Sequence, residues 1–241
     1  MVNSIQCVWE RLEAALFPPV CVLCAATGQA PFMDLCGGCA GDLPVNINAC
    51  ARCAEPLAGA VVHSAFCGAC LRRPPRFDAA YCAYRYGFPI DHLVRGLKYG
   101  EQLAYGRVLG TLLASYLRRA HPEPWPECVV PVPLADGRFR ERGFNQAIEI
   151  GRELQARLGL PLATDVLVRT RATREQAGLD RRERRKNLRN AFAVSRAFQQ
   201  RSAAILDDVI TTGSTVNEIA RVLRRAGVER IEVWAVARAT R

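Results

Sequence analysis

Residues 207–215 read Asp-Asp-Val-Ile-Thr-Thr-Gly-Ser-Thr, two carboxylates and four hydroxyls gathered around one glycine. The apolar run Ala203–Leu206 ahead of them suits a buried strand, and Val216–Ala226 behind them suits a helix closed by Gly227. A strand, loop and helix in this order aim free backbone N–H groups at whatever occupies the loop, and the helix dipole favours negative charge there. Gly213 carries no side chain to block the approach, and Thr211, Thr212, Ser214 and Thr215 add hydroxyls, so the loop is a nest for a phosphate dianion. Asp207 and Asp208 are placed to accept hydrogen bonds from the hydroxyls of a sugar bearing that phosphate. An acidic helix cap with a hydroxyl-rich turn would explain one acid and one threonine, but not the whole string. A Walker nucleotide loop is excluded, because no Gly-Lys-Ser/Thr follows a four-residue gap. The three histidines, His63, His92 and His121, fall in no Ser/His/Asp arrangement.

Two other segments carry positive charge. Val130–Gly143 leaves a short apolar strand and holds Arg138, Arg140 and Arg142, with Asn145 just beyond. Arg169–Arg189 sets nine basic residues against three acids. A run this basic suits a solvated face, a nucleic-acid contact or a mobile hood over a ligand, and the sequence leaves the three open. The whole chain, at +10 with a pI near 9.3, attracts anions without choosing among small phosphates, nucleic acid and acidic membranes. It has no basic stripe interleaved with aromatics of the kind that stacks bases.

Eight of the eleven cysteines form four Cys-x-x-Cys pairs: Cys21/Cys24, Cys36/Cys39, Cys50/Cys53 and Cys67/Cys70. Two such knuckles complete a tetrahedral four-sulfur zinc site. Taken in order, they give one ribbon from Cys21 to Cys39 and another from Cys50 to Cys70, hence two structural zinc ions; an interleaved pairing stays open, since sequence does not fix connectivity. A thioredoxin-like redox centre would need a single motif inside a strand-helix unit. Cys82 and Cys128 lie in apolar stretches and read as small buried hydrophobes.

The 241 residues, half of them apolar, are enough for a substantial core. Strands are expected at Phe77–Tyr86, Cys128–Pro133, Ala203–Leu206 and Arg230–Ala237, and helices at Ile90–Tyr99, Tyr105–Arg119, Gln146–Leu158 and Val216–Ala226. This alternation predicts an α/β domain on a mostly parallel sheet, with ligands at the carboxyl ends of its strands. Pro74-Pro75 marks a break. The expected organisation is an N-terminal helix over 1–20, a small Cys-rich double zinc ribbon over 21–75 and the α/β domain over 76–241. Cys7–Phe17 has amphipathic helical spacing, which a cap on the next domain explains better than a membrane anchor. No apolar run reaches the roughly 18 residues that span a bilayer, and the start lacks a signal peptide's pattern. A cytoplasmic protein is expected, in which these cysteines would not persist as disulfides.

The 204–215 string Ala-Ile-Leu-Asp-Asp-Val-Ile-Thr-Thr-Gly-Ser-Thr resembles the motif by which type I phosphoribosyltransferases bind 5-phosphoribosyl-1-pyrophosphate (PRPP). The resemblance implies that Asp207 and Asp208, as the catalytic pair, hold the ribose hydroxyls directly or through a magnesium shell. It also implies that Val209 and Thr211–Thr215, with Gly213 and Ser214, surround the 5-phosphate. Purine salvage enzymes commonly carry an acid where this chain has Thr211, which disfavours purine acceptors. Further motifs extend the likeness over nearly the whole chain: the Cys-x-x-Cys ribbons, Leu97-Lys98-Tyr99, Pro131-Val132-Pro133, Arg142-Gly143-Phe144-Asn145-Gln146, Gln176 with Gly178-Leu179, Arg184-Arg185-Lys186-Asn187 and Ala191-Phe192. In this order they resemble the ComF family. That implies a type I phosphoribosyltransferase domain behind a double zinc ribbon, zinc and magnesium as metals, PRPP as ligand and an acceptor yet to be identified. It further implies single-stranded DNA or proteins of the competence machinery as partners, either for an enzyme or for a non-catalytic PRPP sensor. Lys98, Arg142, Asn145, Arg184 and Lys186 are the candidates for meeting the pyrophosphate or forming the hood.

Overall fold

A computed structural model of the chain describes residues 18–30, 32, 34–59, 65–100, 102–170, 188, 190–195 and 198–240. The expected helix at 1–20 therefore lies almost wholly outside the described residues, as do His63, Arg184 and Lys186. The chain divides into two compact units, Met1–Leu43 and Pro44–Arg241. Pro74-Pro75, where the composition changes, falls inside the second.

The first unit is a small ribbon. Val20 bridges Thr27 across the Cys21–Cys24 turn, closed by Cys21 N–H donating to Ala26 O at 2.7 Å, and Val22 N–H reaches Asp34 O at 2.9 Å. A single-turn helix α1 (Gly37–Gly41) follows, capped by Cys36, whose sulfur accepts the Cys39 N–H.

The second unit is built on four parallel strands, β1 (Ala79–Arg85), β2 (Cys128–Pro131), β5 (Ser202–Ile210) and β6 (Arg230–Arg238), in the order β1-β6-β5-β2. β5 and β6 are central, and β6 is buried along almost its whole length, as expected where helices cover both faces of a parallel sheet. The covering helices are α3 (Ile90–Tyr99), α4 (Leu103–Ala120), α6 (Gln146–Leu158) and α7 (Ser214–Arg225). Each buries a stripe: Val216, Ile219, Ala220 and Leu223 on α7 recur at the spacing of one helical face. α4 and α6 approach so closely that a Cβ on Gly110 would lie 2.5 Å from Glu153 Cβ and 2.9 Å from Ile150 O. Only glycine fits there.

The fold differs from the sequence expectation in three places. β5 does not stop at Leu206 but continues to Ile210, carrying both aspartates as strand residues. The arginine-bearing segment after β2 contains a short helix, α5 (Asp136–Arg142), ended by Gly143 in the left-handed conformation at φ 74°. An antiparallel pair, β3 (Leu167–Arg169) with β4 (Phe192–Val194), borders the basic run.

The second ribbon belongs to this unit. It runs through the Ala49–Pro56 bridge to a single-turn helix α2 (Gly68–Arg72), and Cys50, Cys53, Ala54 and Cys70 are buried in one core with Phe77, Val130, Ile205, Ile210 and Ala235. Asn46, itself buried, donates from its amide to Ala54 O at 3.0 Å and Cys82 O at 3.4 Å, tying the knuckle to β1. Among the described residues no helix is long and apolar enough to cross a membrane.

Candidate functional site

The eight paired cysteines form two clusters, Cys21/Cys24/Cys36/Cys39 and Cys50/Cys53/Cys67/Cys70, each with all four sulfurs within 4.8 Å of one another. Of the two pairings open in the sequence, the sequential one is the one present. A tetrahedral zinc with bonds of about 2.3 Å separates its sulfurs by about 3.8 Å, and the Cys24–Cys36 and Cys53–Cys67 sulfurs stand 3.6 Å apart. Backbone amides turn inward as a metal-bound thiolate requires: Cys67 N–H points at Cys50 Sγ at 3.2 Å. Burial opposes ionisation of Cys21 and Cys50, but the surrounding N–H donors outweigh it and bring their thiols to about 6 and about 7. Burial and the neighbouring sulfur charge push Cys53 up to about 11. Several thiolates cannot share so small a space without a cation, and the donor set is that of a closed structural zinc site. Cys82 and Cys128 are buried, as their surroundings predict.

A cavity of about 570 Å³ opens at the carboxyl ends of the parallel strands, within the range of small-molecule sites. One wall is the end of β5, with Asp207, Asp208 and Val209 followed by Thr211 and Thr215. Another is the segment from β2 into α6: Val132, Pro133, Arg138, Arg142, Asn145 and Gln146. Lys98 from α3 and Tyr86 from the end of β1 complete it, with Arg169 from β3.

Its charges are tightly arranged. Lys98 Nζ lies 2.5 Å from Asp208 Oδ2. Burial works against the Lys98 charge, yet the Asp208 carboxylate more than offsets it and raises the lysine pKa. Burial, then the adjacent Asp208 charge, push Asp207 up to about 8, with Lys98 pulling the other way. Each aspartate also accepts from the next backbone N–H, Asp208 N to Asp207 Oδ1 at 2.9 Å and Val209 N to Asp208 Oδ1 at 2.8 Å, which fixes both carboxylates at the strand end. Two crowded carboxylates call for a cation or for hydroxyl donors. On the other wall Arg142 and Gln146 are buried, with Arg142 Nε and Gln146 Nε2 lacking a hydrogen-bond partner among the described residues. Buried donors of that kind await an acceptor. Arg142 also stacks over Tyr99 at 4.8 Å, which holds the guanidinium in place.

The phosphate-loop residues divide between two sides. Gly213 takes the left-handed conformation at φ 73° and caps α7, and Thr212 Oγ1 accepts from Ser214 N–H at 3.3 Å. Thr211 and Thr215 face the large cavity, whereas Thr212, Gly213 and Ser214 line a smaller space of about 90 Å³ with Cys53, Cys70 and Arg238. Of the predicted residues, Lys98, Arg142, Asn145, Asp207, Asp208, Val209, Thr211 and Thr215 come together in one cavity. Asn145 spends its amide on structure: Oδ1 caps α6 through Ala147 N at 2.9 Å, and Nδ2 donates to Val132 O at 3.0 Å. Gln146, Tyr86 and Arg169 line the cavity without having been singled out. Gln146 sits in the Arg-Gly-Phe-Asn-Gln string and Arg169 opens the basic run, so for these two the signal was present; nothing local marks Tyr86.

The architecture defines an α/β protein with a zinc-ribbon segment and an anion-suited cavity at its strand ends. Residues 12–71 match the double zinc ribbon domain. The chain is 37% identical to competence protein F of Haemophilus influenzae, over 91% of this chain and 96% of that protein. It is 33% identical to the DNA utilization protein YhgH of Escherichia coli K12, over 92% and 97%. Competence protein ComFC of Streptococcus pneumoniae is 25% identical over 64% and 60%. The chain belongs to the ComF family.

Proposed function

We propose that the protein is a phosphoribosyltransferase that binds PRPP in the large cavity and passes its phosphoribosyl group to an acceptor, in a role tied to DNA uptake and use. One observation carries this reading: an adjacent acid pair and the Thr211 and Thr215 hydroxyls flanking the helix start share a cavity with donors of Arg142 and Gln146 that lack a partner among the described residues. A ribose 5-phosphate fits the first group, with its phosphate on the amides of 211–215 and its hydroxyls on Asp207 and Asp208. Pyrophosphate fits the second.

The hard oxygens of the two aspartates suit magnesium, which when bound would neutralise pyrophosphate charge. In the reaction the bond from the anomeric carbon to pyrophosphate oxygen breaks, pyrophosphate keeps the electron pair, and the acceptor's lone pair closes on the same carbon while its proton passes to solvent or a base. The developing oxocarbenium character needs position and charge complementarity more than covalent help. Arg142 and Gln146 stabilise the departing oxygens; Lys98 holds Asp208 in place until the ribose hydroxyls arrive. The names of the relatives, competence protein F and DNA utilization protein, support the DNA-linked role.

Thr211, standing where salvage enzymes carry a base, favours a second reading, a PRPP sensor without turnover. Magnesium and PRPP should raise the melting temperature by several degrees, and Asp207→Asn with Asp208→Asn should abolish the rise. Pyrophosphate release with acceptors drawn from a cell extract separates the readings: turnover supports the enzyme, saturable binding without turnover supports the sensor, and no shift in the unaltered protein defeats both.

A further inference from the structure

Arg238 is 1% exposed, the most deeply buried arginine among the described residues. It closes β6 in register with Ile210, the last residue of β5. Its guanidinium donates to the main-chain oxygens of Cys53 at 3.1 Å, Ile210 at 2.9 Å and Ala239 at 2.7 Å, to Thr211 O, and to the Glu55 carboxylate. Cys53 and Glu55 belong to the turn of the second zinc ribbon, and Ile210 and Thr211 are the hinge between β5 and the phosphate loop. One cation therefore joins a metal ligand's backbone to the first residue of the anion nest. Burying a guanidinium is costly unless its N–H groups are all met, so the arrangement holds only while both chain segments stay in place. The small space lined by Cys53, Cys70, Thr212, Gly213 and Ser214 lies in the same junction. A zinc ion with four thiolates is a net dianion, which further favours a guanidinium against the knuckle backbone.

We propose that Arg238 is a positioning residue through which the second four-cysteine centre sets the order of residues 211–215, and with it the affinity for PRPP. The affinity half rests on the PRPP reading above; the ordering half stands on the hydrogen bonds alone.

The test uses the full zinc-loaded chain. In Arg238→Gln, with two zinc ions per chain retained, amide hydrogen exchange in the peptide covering 210–215 should quicken about tenfold, and the PRPP dissociation constant should rise by a similar factor. Glu55→Gln leaves the carbonyl bonds in place and should show the same change at about threefold, which keeps the test available if Arg238→Gln misfolds. By reciprocity, saturating PRPP should tighten zinc binding at one of the two centres, read by equilibrium competition with a chelator. Unchanged exchange in the folded variants with zinc retained overturns the proposal. Faster exchange in a protein whose unaltered form binds no PRPP leaves the ordering half standing and overturns the affinity half, together with the PRPP reading.

Discussion

The two four-cysteine centres have the same ligands and nearly the same spacing, but they are set in different surroundings. In the first, Cys24 is exposed and Cys36 and Cys39 are half-buried, and among the described residues of that unit the buried apolar side chains are Leu35 and Leu43 beside Cys21. In the second, Cys50, Cys53 and Cys70 are buried in the core that also holds the central strands. Removing a metal from the first centre costs a small ribbon its fold. Removing it from the second is expected to loosen a turn that packs into the α/β core and is tied down by Asn46 and Arg238. A shared motif thus fixes the chemistry of the ion but not its mechanical role, which depends on the contacts made by the residues around it.

The largest effect that could break this comparison is the paired loss of one ligand from each centre. Cys67→Ser should lower the melting temperature by more than about 10 °C, and Cys24→Ser by less than about half as much, since each kcal/mol lost moves a domain of this size by about 2–4 °C. Equal losses in calorimetry would make the two centres equivalent. The pH dependence sharpens it next. Asp207, raised to about 8 from an ordinary carboxylate value, keeps in the folded protein a proton that the unfolded chain has released. The stability this gives is fully present below the unfolded pKa and is lost as pH rises through about 8. Between about pH 6 and 8, with zinc content measured at each pH, thermal stability of the second unit should fall with pH and then level off, and Asp207→Asn should flatten the slope. PRPP binding, which uses the ionised acid, should strengthen over the same interval. A slope unchanged in Asp207→Asn would remove the burial argument for that carboxyl. Smallest is Asn46→Ala, which removes two buried hydrogen bonds between the second knuckle and β1 and should cost about 1–3 kcal/mol. Faster zinc loss from the second centre alone is the expected companion, read by chelator competition.

Much of this was readable from residues alone, for identifiable reasons. α3 and α6 fall on the expected bounds, Ile90–Tyr99 and Gln146–Leu158, because each has an apolar stripe and an unambiguous end: Gly100 after α3, the Asn145 cap and left-handed Gly159 around α6. β5 runs four residues beyond the expected carboxyl end because hydrophobicity breaks at Leu206, whereas the backbone pairing with β6 continues to Ile210 under two polar side chains. β3 and β4 have three residues each, too few for a period to register. The acid pair and the loop were legible as local chemistry, since type and order suffice for them. Their setting was not: Lys98 meets Asp208 from a helix about a hundred residues earlier in the chain, and Arg238 meets Cys53 and Glu55 across 185 and 183 residues. Pairings of that kind depend on the packed sheet, and no window of sequence contains both partners.

Crystals of the zinc-loaded protein grown with magnesium and PRPP test the central claim most directly. The expected electron density places the 5-phosphate on the backbone amides of 211–215, the ribose hydroxyls at Asp207 and Asp208, and pyrophosphate within hydrogen-bond reach of Arg142 and Gln146. A cavity without PRPP at saturating concentration, or PRPP bound away from the Asp207–Asp208 strand end, would contradict it.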